Sequence, residues 1–347
     1  MSDGTAIEWT DATWNVVNGC SVLSPGCTNC YAMHLAGTRL RNHPTRAGLT
    51  SDSKAGPVWT GEVRFNDKVL LDPLGWRRPR QIFVCAHGDL FHENVPVEWI
   101  VRVYGVAIAA HHLNGHVLQF LTKRADRARK LLNSQEFWDW VNAEASMHIM
   151  ERVDPLNRRS DDPRATCDEY GPDNPPPGLW LGVSAEDQRR AEERIAHLLA
   201  TPAAVRWISA EPLLAALELD SLWLRTSPSA AFVAGEVTPE MPAWTRIGST
   251  AIDWIVAGGE SGRGARPMHP DWARGLRDQC ESAGVPFLFK QWGEWAPAAP
   301  GAGTHWLSST GSLHRGPAPA DAVPVVRFGK KAAGRLLDGV QHDGYPA

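Results

Sequence analysis

Trp14 to Met33 reads WNVVNGCSVLSPGCTNCYAM, and three of the chain's six cysteines fall inside it: Cys20, Cys27 and Cys30, spaced C-x6-C-x2-C. Buried structural cysteines are usually scattered, and a disulfide within so short a loop would leave one thiol over. Gly19, Pro25 and Gly26 mark the segment as a loop, with backbone able to wrap a small inorganic group. Structural zinc closes its shell with four protein ligands. A [4Fe–4S] cluster held by three cysteines keeps one iron open to a small molecule. Three thiolates without an obvious fourth ligand therefore point to a cluster or metal with one position open.

The flanks of this loop set the fold. Ile7, Trp9 and Trp14 with Asn15 to Asn18 predict a short strand that delivers its end into the loop. After Cys30, YAMHLAGTRLR predicts a helix, with Tyr31, His34, Leu35 and Thr38 at helical spacing. Residues 41–61 are rich in Gly, Pro, Ser and Thr and read as a long surface loop; 59–71 read as a short strand and a helix start. Beyond them, short apolar runs alternate with helical stretches. The runs are Gln81–Cys85, His116–Thr122, Leu179–Ser184, Val205–Ser209, Ile252–Ala257 and Val285–Phe289. Helices are predicted over 97–113, from 125 to about 133, over 187–200 and around 270–283.

Such alternation implies parallel βαβ units. Seven candidate strands predict an α/β fold, a single β/α (TIM-like) barrel, partial or complete. A doubly wound open sheet is the weaker option, because no G-x-G-x-x-G follows the first strand. Segments at about 150–178 and 218–250 break the rhythm and read as insertions. The expected organisation is a barrel over 1–295 and a C-terminal extension over 296–347 that packs on it, with VPVVRFGKKAAGRLLDG as a short strand and helix.

Composition narrows the class. The 347 residues are 43% hydrophobic and 21% charged, and no apolar run approaches the ~20 residues that span a bilayer. MSDGTAIEWTDAT carries no signal-peptide core, so a cytoplasmic location is expected, where clustered thiols bind metals more often than they pair. A net charge of −4 lacks the basic footprint of a non-specific nucleic-acid binder. Arg39, Arg41, Arg46, Arg77, Arg78 and Arg80 form a candidate local patch, read in preference as a solvated face. The 16 tryptophans read mainly as core.

β/α barrels gather functional groups at the C-terminal ends of their strands. Here those positions hold the three cysteines, then His87, Asp89 and His92, then Lys123 and Arg124. Ser184 and Glu186, Ser209 and Glu211, Gly258 to Ser261, and Lys290 and Gln291 complete the ring. Polar strand ends are common because turns are polar; a whole ring of them beside a cysteine trio suggests one shared pocket. Gly258 and Gly259 permit close backbone approach, and the Glu260 carboxylate suits an amino group or ribose hydroxyls. Glu211 has a second reading, as partner of Arg206 or Lys123. Cys85, Cys167 and Cys280 read as structural.

With these residues in view, the chain resembles the radical S-adenosylmethionine superfamily. The blocks WNVVNGCSVLSPGCTNCYA, GDLFHENVP, LTKRADR, LWLGVSAEDQ, WISAEPLL, DWIVAGGESG, PFLFKQWGEW and GKKAAGRLLDG resemble a phage-associated, largely uncharacterised family regarded as radical-SAM-like. The resemblance runs from about Ile7 to Asp338. It implies a [4Fe–4S] cluster on Cys20, Cys27 and Cys30, with S-adenosylmethionine chelating the open iron and yielding a 5′-deoxyadenosyl radical on reduction. It implies cofactor contacts at Asp89, Ser184, Glu186, Glu211, Gly258, Gly259 and Glu260, with Tyr31 a candidate for the adenine. An electron donor such as flavodoxin or ferredoxin is implied, and a nucleic-acid base is one candidate substrate. The sequence departs from the superfamily's commonest spacing of three residues between the first two cysteines, and Asn29 rather than an aromatic precedes Cys30. The alternative, from a different class, is a non-enzymatic structural or nucleic-acid-binding protein whose three cysteines bind zinc with His34 or His43.

Overall fold

The computed structural model describes residues 4–153, 163–219, 223–224, 251–301 and 303–346. Its centre is a seven-stranded, wholly parallel sheet: β1 (Ala12–Trp14), β2 (Gln81–Val84), β3 (Val117–Thr122), β4 (Leu179–Ser184), β5 (Val205–Ala210), β6 (Trp254–Gly258) and β7 (Phe287–Gln291). The strands lie side by side in chain order. A doubly wound sheet would reverse its order at a switch point; this one never does, so it is an open arc of a β/α barrel. β4 and β6 are buried at every residue, as parallel strands covered on both faces must be.

Helices on the convex face follow α1 (Tyr31–Gly37): α2 (Val97–Asn114), α3 (Ala125–Leu132), α4 (Gln135–Val153), α5 (Gln188–Leu199) and α6 (Pro270–Ala283). Their ends are chemically marked. Gly115 and Gly284 adopt left-handed conformations just past α2 and α6, and α6 opens on Pro270. The Asp187 side chain caps α5 by accepting from the Arg190 N–H at 3.0 Å.

The concave face has no helix to cover it and is filled by rings instead. Trp9, Phe83, Trp180, Trp207 and Trp254 are all buried there, and Trp9 stands 4.7 Å from Phe83 and 5.0 Å from Trp207. Residues 342–344 run along the free edge of β7: the Phe289 N–H donates to the His342 carbonyl at 3.0 Å and Gly344 N–H to that of Phe287 at 2.9 Å. Tyr345 packs on Trp254 and donates to the Glu8 carbonyl at 3.4 Å, just ahead of β1. The tail thus reaches across the gap where an eighth strand would close a barrel.

Several expectations are corrected. The first strand lies earlier than Trp14–Asn18; the chain leaves the sheet after Trp14, and Val17–Asn18 pairs instead with Arg64–Phe65. The loop expected over 41–61 contains a hairpin, Thr50–Ser53 with Gly56–Trp59, that packs on α1. α4 was not anticipated: its exposed Trp140, Met147 and Met150 blur the apolar face made by Phe137, Trp138, Val141, Ala145 and Ile149. It occupies the start of the insertion expected at about 150–178, of which residues 154–162 lie outside the described residues. So does most of the insertion expected at 218–250. After β7, Trp295–Pro297, His305–Leu307, Leu313–His314 and Val323–Arg327 form a small antiparallel sheet. Among the described residues no helix is long and apolar enough to cross a membrane.

Candidate functional site

The cysteine loop leaves β1 through Gly19, whose φ of 97° only glycine adopts without strain and whose missing Cβ leaves room for the Glu62 carbonyl. A single 3-10 turn, Pro25–Cys27, then folds the loop back, with the Cys27 N–H donating to Ser24 O at 2.9 Å, and α1 starts directly after Cys30. All three thiols are unpaired, half-buried and face one cavity of about 260 Å³ at the C-terminal ends of the strands. Burial pushes Cys20 up to about 12, helped by the charge of Asp89 and opposed by Arg124. Burial likewise raises Cys30.

Side chains from the strand ends pin this loop. Glu260, after β6, accepts from Asn29 Nδ2 at 2.9 Å and is gripped by Arg266 through Nε at 2.9 Å and Nη2 at 2.6 Å. The same Arg266 donates from Nη2 to the Pro25 carbonyl at 2.9 Å. Glu186, after β4, is fully buried; it accepts from the Gly26 N–H at 3.3 Å and from Arg194 at 2.8 Å. Burial alone would raise its carboxyl, but the charges of Lys123 and Arg194 outweigh that and lower it. Arg124, after β3, donates to Ser21 Oγ at 2.7 Å and to Cys20 Sγ at 3.6 Å. Asp89, after β2, accepts from Phe91 N–H, Thr122 Oγ1, Lys123 N–H and Arg124 Nη1, which fills its lone pairs.

Glu211 faces the cavity from the end of β5. It pairs with Lys290 at 3.0 Å, and Trp9 Nε1 and Ser209 Oγ each donate to it at 3.2 Å. Its expected partners, Arg206 and Lys123, are therefore replaced by Lys290, which β7 brings alongside. Lys123 lines the same cavity, and its ammonium makes no ion pair among the described residues. Ser184 lines the wall, and its carbonyl accepts from Arg194 at 2.7 Å. A Cβ on Gly259 would stand 1.9 Å from the Trp292 carbonyl, and one on Gly258 2.8 Å from Glu211 Oε1. Gly259 is thus required by the Trp292 backbone, while the contact at Gly258 is with the end of a side chain that can rotate. Tyr31 is 49% exposed, with its hydroxyl end tucked in and donating to the Ala86 carbonyl at 2.7 Å. Its ring is left open to the cavity.

Other candidates lie apart. His87 accepts from Arg46 at 2.7 Å, and burial with the Arg46 charge pushes it down to about 4. His92 is buried and holds Ser21 Oγ at 3.0 Å. Of the six arginines, Arg46 is buried and Arg41 is paired with Asp52. His34 and His43 are exposed and outside the cavity, and among the described residues no three His, Cys, Asp or Glu side chains converge on a point that would hold a metal ion. Sequence reasoning missed Asn29, Arg194 and Arg266; the i+8 spacing of Glu186 to Arg194, across the strand-to-helix turn, was the one available hint.

A family model described as "Protein of unknown function (DUF5131)" matches residues 4–346. No protein with a curated description matches the chain. Among solved structures it is similar to spore photoproduct lyase complexed with dinucleoside spore photoproduct, at 7% identity and a TM-score of 0.35, covering 91% of this chain and 68% of that one. It is also similar to a variant of spore photoproduct lyase with bound AdoMet and the same dinucleoside, at 8% identity and a TM-score of 0.34, with the same coverage. Overlap this low carries no inference about chemistry, which rests on the site's own residues.

Proposed function

The chain belongs to the DUF5131 family of proteins of unknown function, and we propose that it is a radical S-adenosylmethionine enzyme with a [4Fe–4S] cluster on Cys20, Cys27 and Cys30. One observation carries the reading: three free thiols on a single loop, fastened by side chains from three strand ends, open onto one cavity. The donor set fits the group. A four-iron cluster takes its three thiolates on three different irons, so it needs them spread around a cube, whereas zinc needs them converging with a fourth ligand. When bound, the cluster and S-adenosylmethionine supply the reductive cleavage that gives a 5′-deoxyadenosyl radical.

The chain's own residues divide the remaining work. Asp89, Glu186 and Glu260 spend their carboxylates on protein donors and so keep the loop in place. Tyr31 offers an open ring face for the adenine. Ser184, Glu211 and Gly259 line the cavity and Gly258 stands beside Glu211; the Ser184 hydroxyl and the Glu211 carboxylate offer polar contacts to the cofactor, and the two glycines permit its close approach. Lys123 offers a cation for a carboxylate or phosphate. The barrel over 1–295, with residues 296–347 packed on it, is the catalytic unit in this reading. A flavodoxin- or ferredoxin-type donor in the reducing cytoplasm supplies the electron, and a nucleic-acid base is one candidate substrate.

Anaerobic reconstitution with iron and sulfide, followed by dithionite and S-adenosylmethionine, tests the proposal. Wild type is expected to bind about four irons and release 5′-deoxyadenosine, and Cys27→Ala to release none. A colourless wild-type protein that releases none would overturn it.

A further inference from the structure

Arg124 is placed with unusual completeness for a surface-type residue. It follows β3 at the start of α3, and its side chain is only 7% exposed. Nε donates to Glu93 at 2.8 Å, Nη1 to Asp89 at 3.1 Å and Nη2 to Ser21 Oγ at 2.7 Å. The planar fork of a guanidinium is then fixed in position and orientation. Nη1 is thereby brought to 3.6 Å from Cys20 Sγ. Holding Asp89 and Glu93 would need no sulfur contact at all. Among the described residues neither Cys27 nor Cys30 has a cationic donor of this kind; Cys27 meets only the Ser24 hydroxyl, at 3.8 Å.

We infer that Arg124 is a positioning residue that acts through Cys20: its fixed N–H and charge, held 3.6 Å from the sulfur, raise the reduction potential of the group bound there. The inference rests on the cluster reading above. Hydrogen bonds to the sulfurs and nearby charge are the protein's main means of setting a cluster's potential. A positive charge beside a ligand sulfur stabilises the state that carries the added electron, so it moves the potential upward. Asp89 and Glu93 hold the guanidinium and offset part of its field. Glu93, 59% exposed, is the member that can be altered without disturbing buried packing.

The test is the midpoint potential of the reconstituted protein, read by electron paramagnetic resonance against graded reductant, with iron content measured alongside. Arg124→Gln is expected to lower the ratio of reduced to oxidised cluster at a fixed poise about tenfold, equivalent to ~59 mV for one electron. Glu93→Gln leaves the Arg124 bonds to Asp89 and Ser21 in place, gives up one of the two bonds its carboxylate accepts from Arg124 and Ser21, and removes a screened negative charge; it is expected to raise that ratio by about twofold. Shifts of opposite sign are not produced by loosened packing. If Arg124→Gln holds no iron, the upward shift in Glu93→Gln alone decides. Wild-type iron content with no shift in Glu93→Gln, or a shift of the same sign in both variants, would overturn the role of Arg124 and leave the cluster reading intact. A wild-type protein that takes up no iron would overturn both.

Discussion

The concave floor and the rim of the strands solve the same problem by opposite means. On the floor, Trp9, Phe83, Trp180, Trp207 and Trp254 fill an uncovered sheet face with rings, bound by packing that has little directional demand. At the rim, Glu186–Arg194, Glu260–Arg266 and Asp89–Arg124 are fixed by directed, charge-assisted bonds. The floor supplies free energy; the rim supplies position. A loop meant to present three sulfurs at defined places needs the second kind of contact, because packing alone lets an irregular segment settle in several ways.

The largest test of this contrast is Trp254→Ala. Trp254 is fully buried, its Nε1 donates to the Gly344 carbonyl, and its loss is expected to cost about 3–5 kcal/mol in urea-induced unfolding. Gly259→Ala comes next, because its Cβ would collide with the Trp292 carbonyl, which cannot swing away; about 3 kcal/mol is expected in the same assay. Acid is the third lever. The folded-state value of His87, about 4, lies below the ordinary 6.5, so the unfolded chain binds the extra proton. Stability is therefore lost as pH falls from about 6.5 towards 4, by roughly 2–3 kcal/mol from this group. The lowered carboxyl of Glu186 adds a loss that begins only below its ordinary value of 4.5. Thermal unfolding midpoints across that range would break the account if they rose on acidification.

Glu260→Gln should cost only about 1–2 kcal/mol, since Arg266 is partly exposed, yet it should speed limited proteolysis within the cysteine loop. An unchanged cleavage rate would mean that the ion pair does not fix the loop. Gly258→Ala is the mildest: its Cβ meets the Glu211 carboxylate, which can rotate, so a change under about 1 kcal/mol is expected.

The floor was the more legible of the two in the sequence. LWLGVS over Leu179–Ser184 and the runs at Gln81 and Val205 announce strands buried on both faces, because burial selects composition residue by residue. α4 escaped because exposed Trp140, Met147 and Met150 interrupt its polar face. The hairpin at 50–59 escaped because its first strand, TSDS, is mostly exposed and carries no apolar alternation. At the rim, position was readable and partnership was not. Asp89, Glu186 and Glu260 were found at strand ends, but a carboxylate that grips a guanidinium has the same sequence signature as one that grips a ligand. The cysteine loop itself was legible down to its bend at Gly19, Pro25 and Gly26, since glycine and proline mark turns directly.

The tail that runs along β7 bears on how the molecule is made. Strands that lie in chain order can be laid down one after another as synthesis proceeds from the N-terminus. Until residues 342–345 have left the ribosome, however, β7 presents its bare backbone groups and Trp254 lacks its Tyr345 neighbour. An uncovered strand edge is a template for pairing with another chain. Residues 342–345 therefore act as a seal, and the nascent protein carries a sticky margin for as long as that seal is still to come.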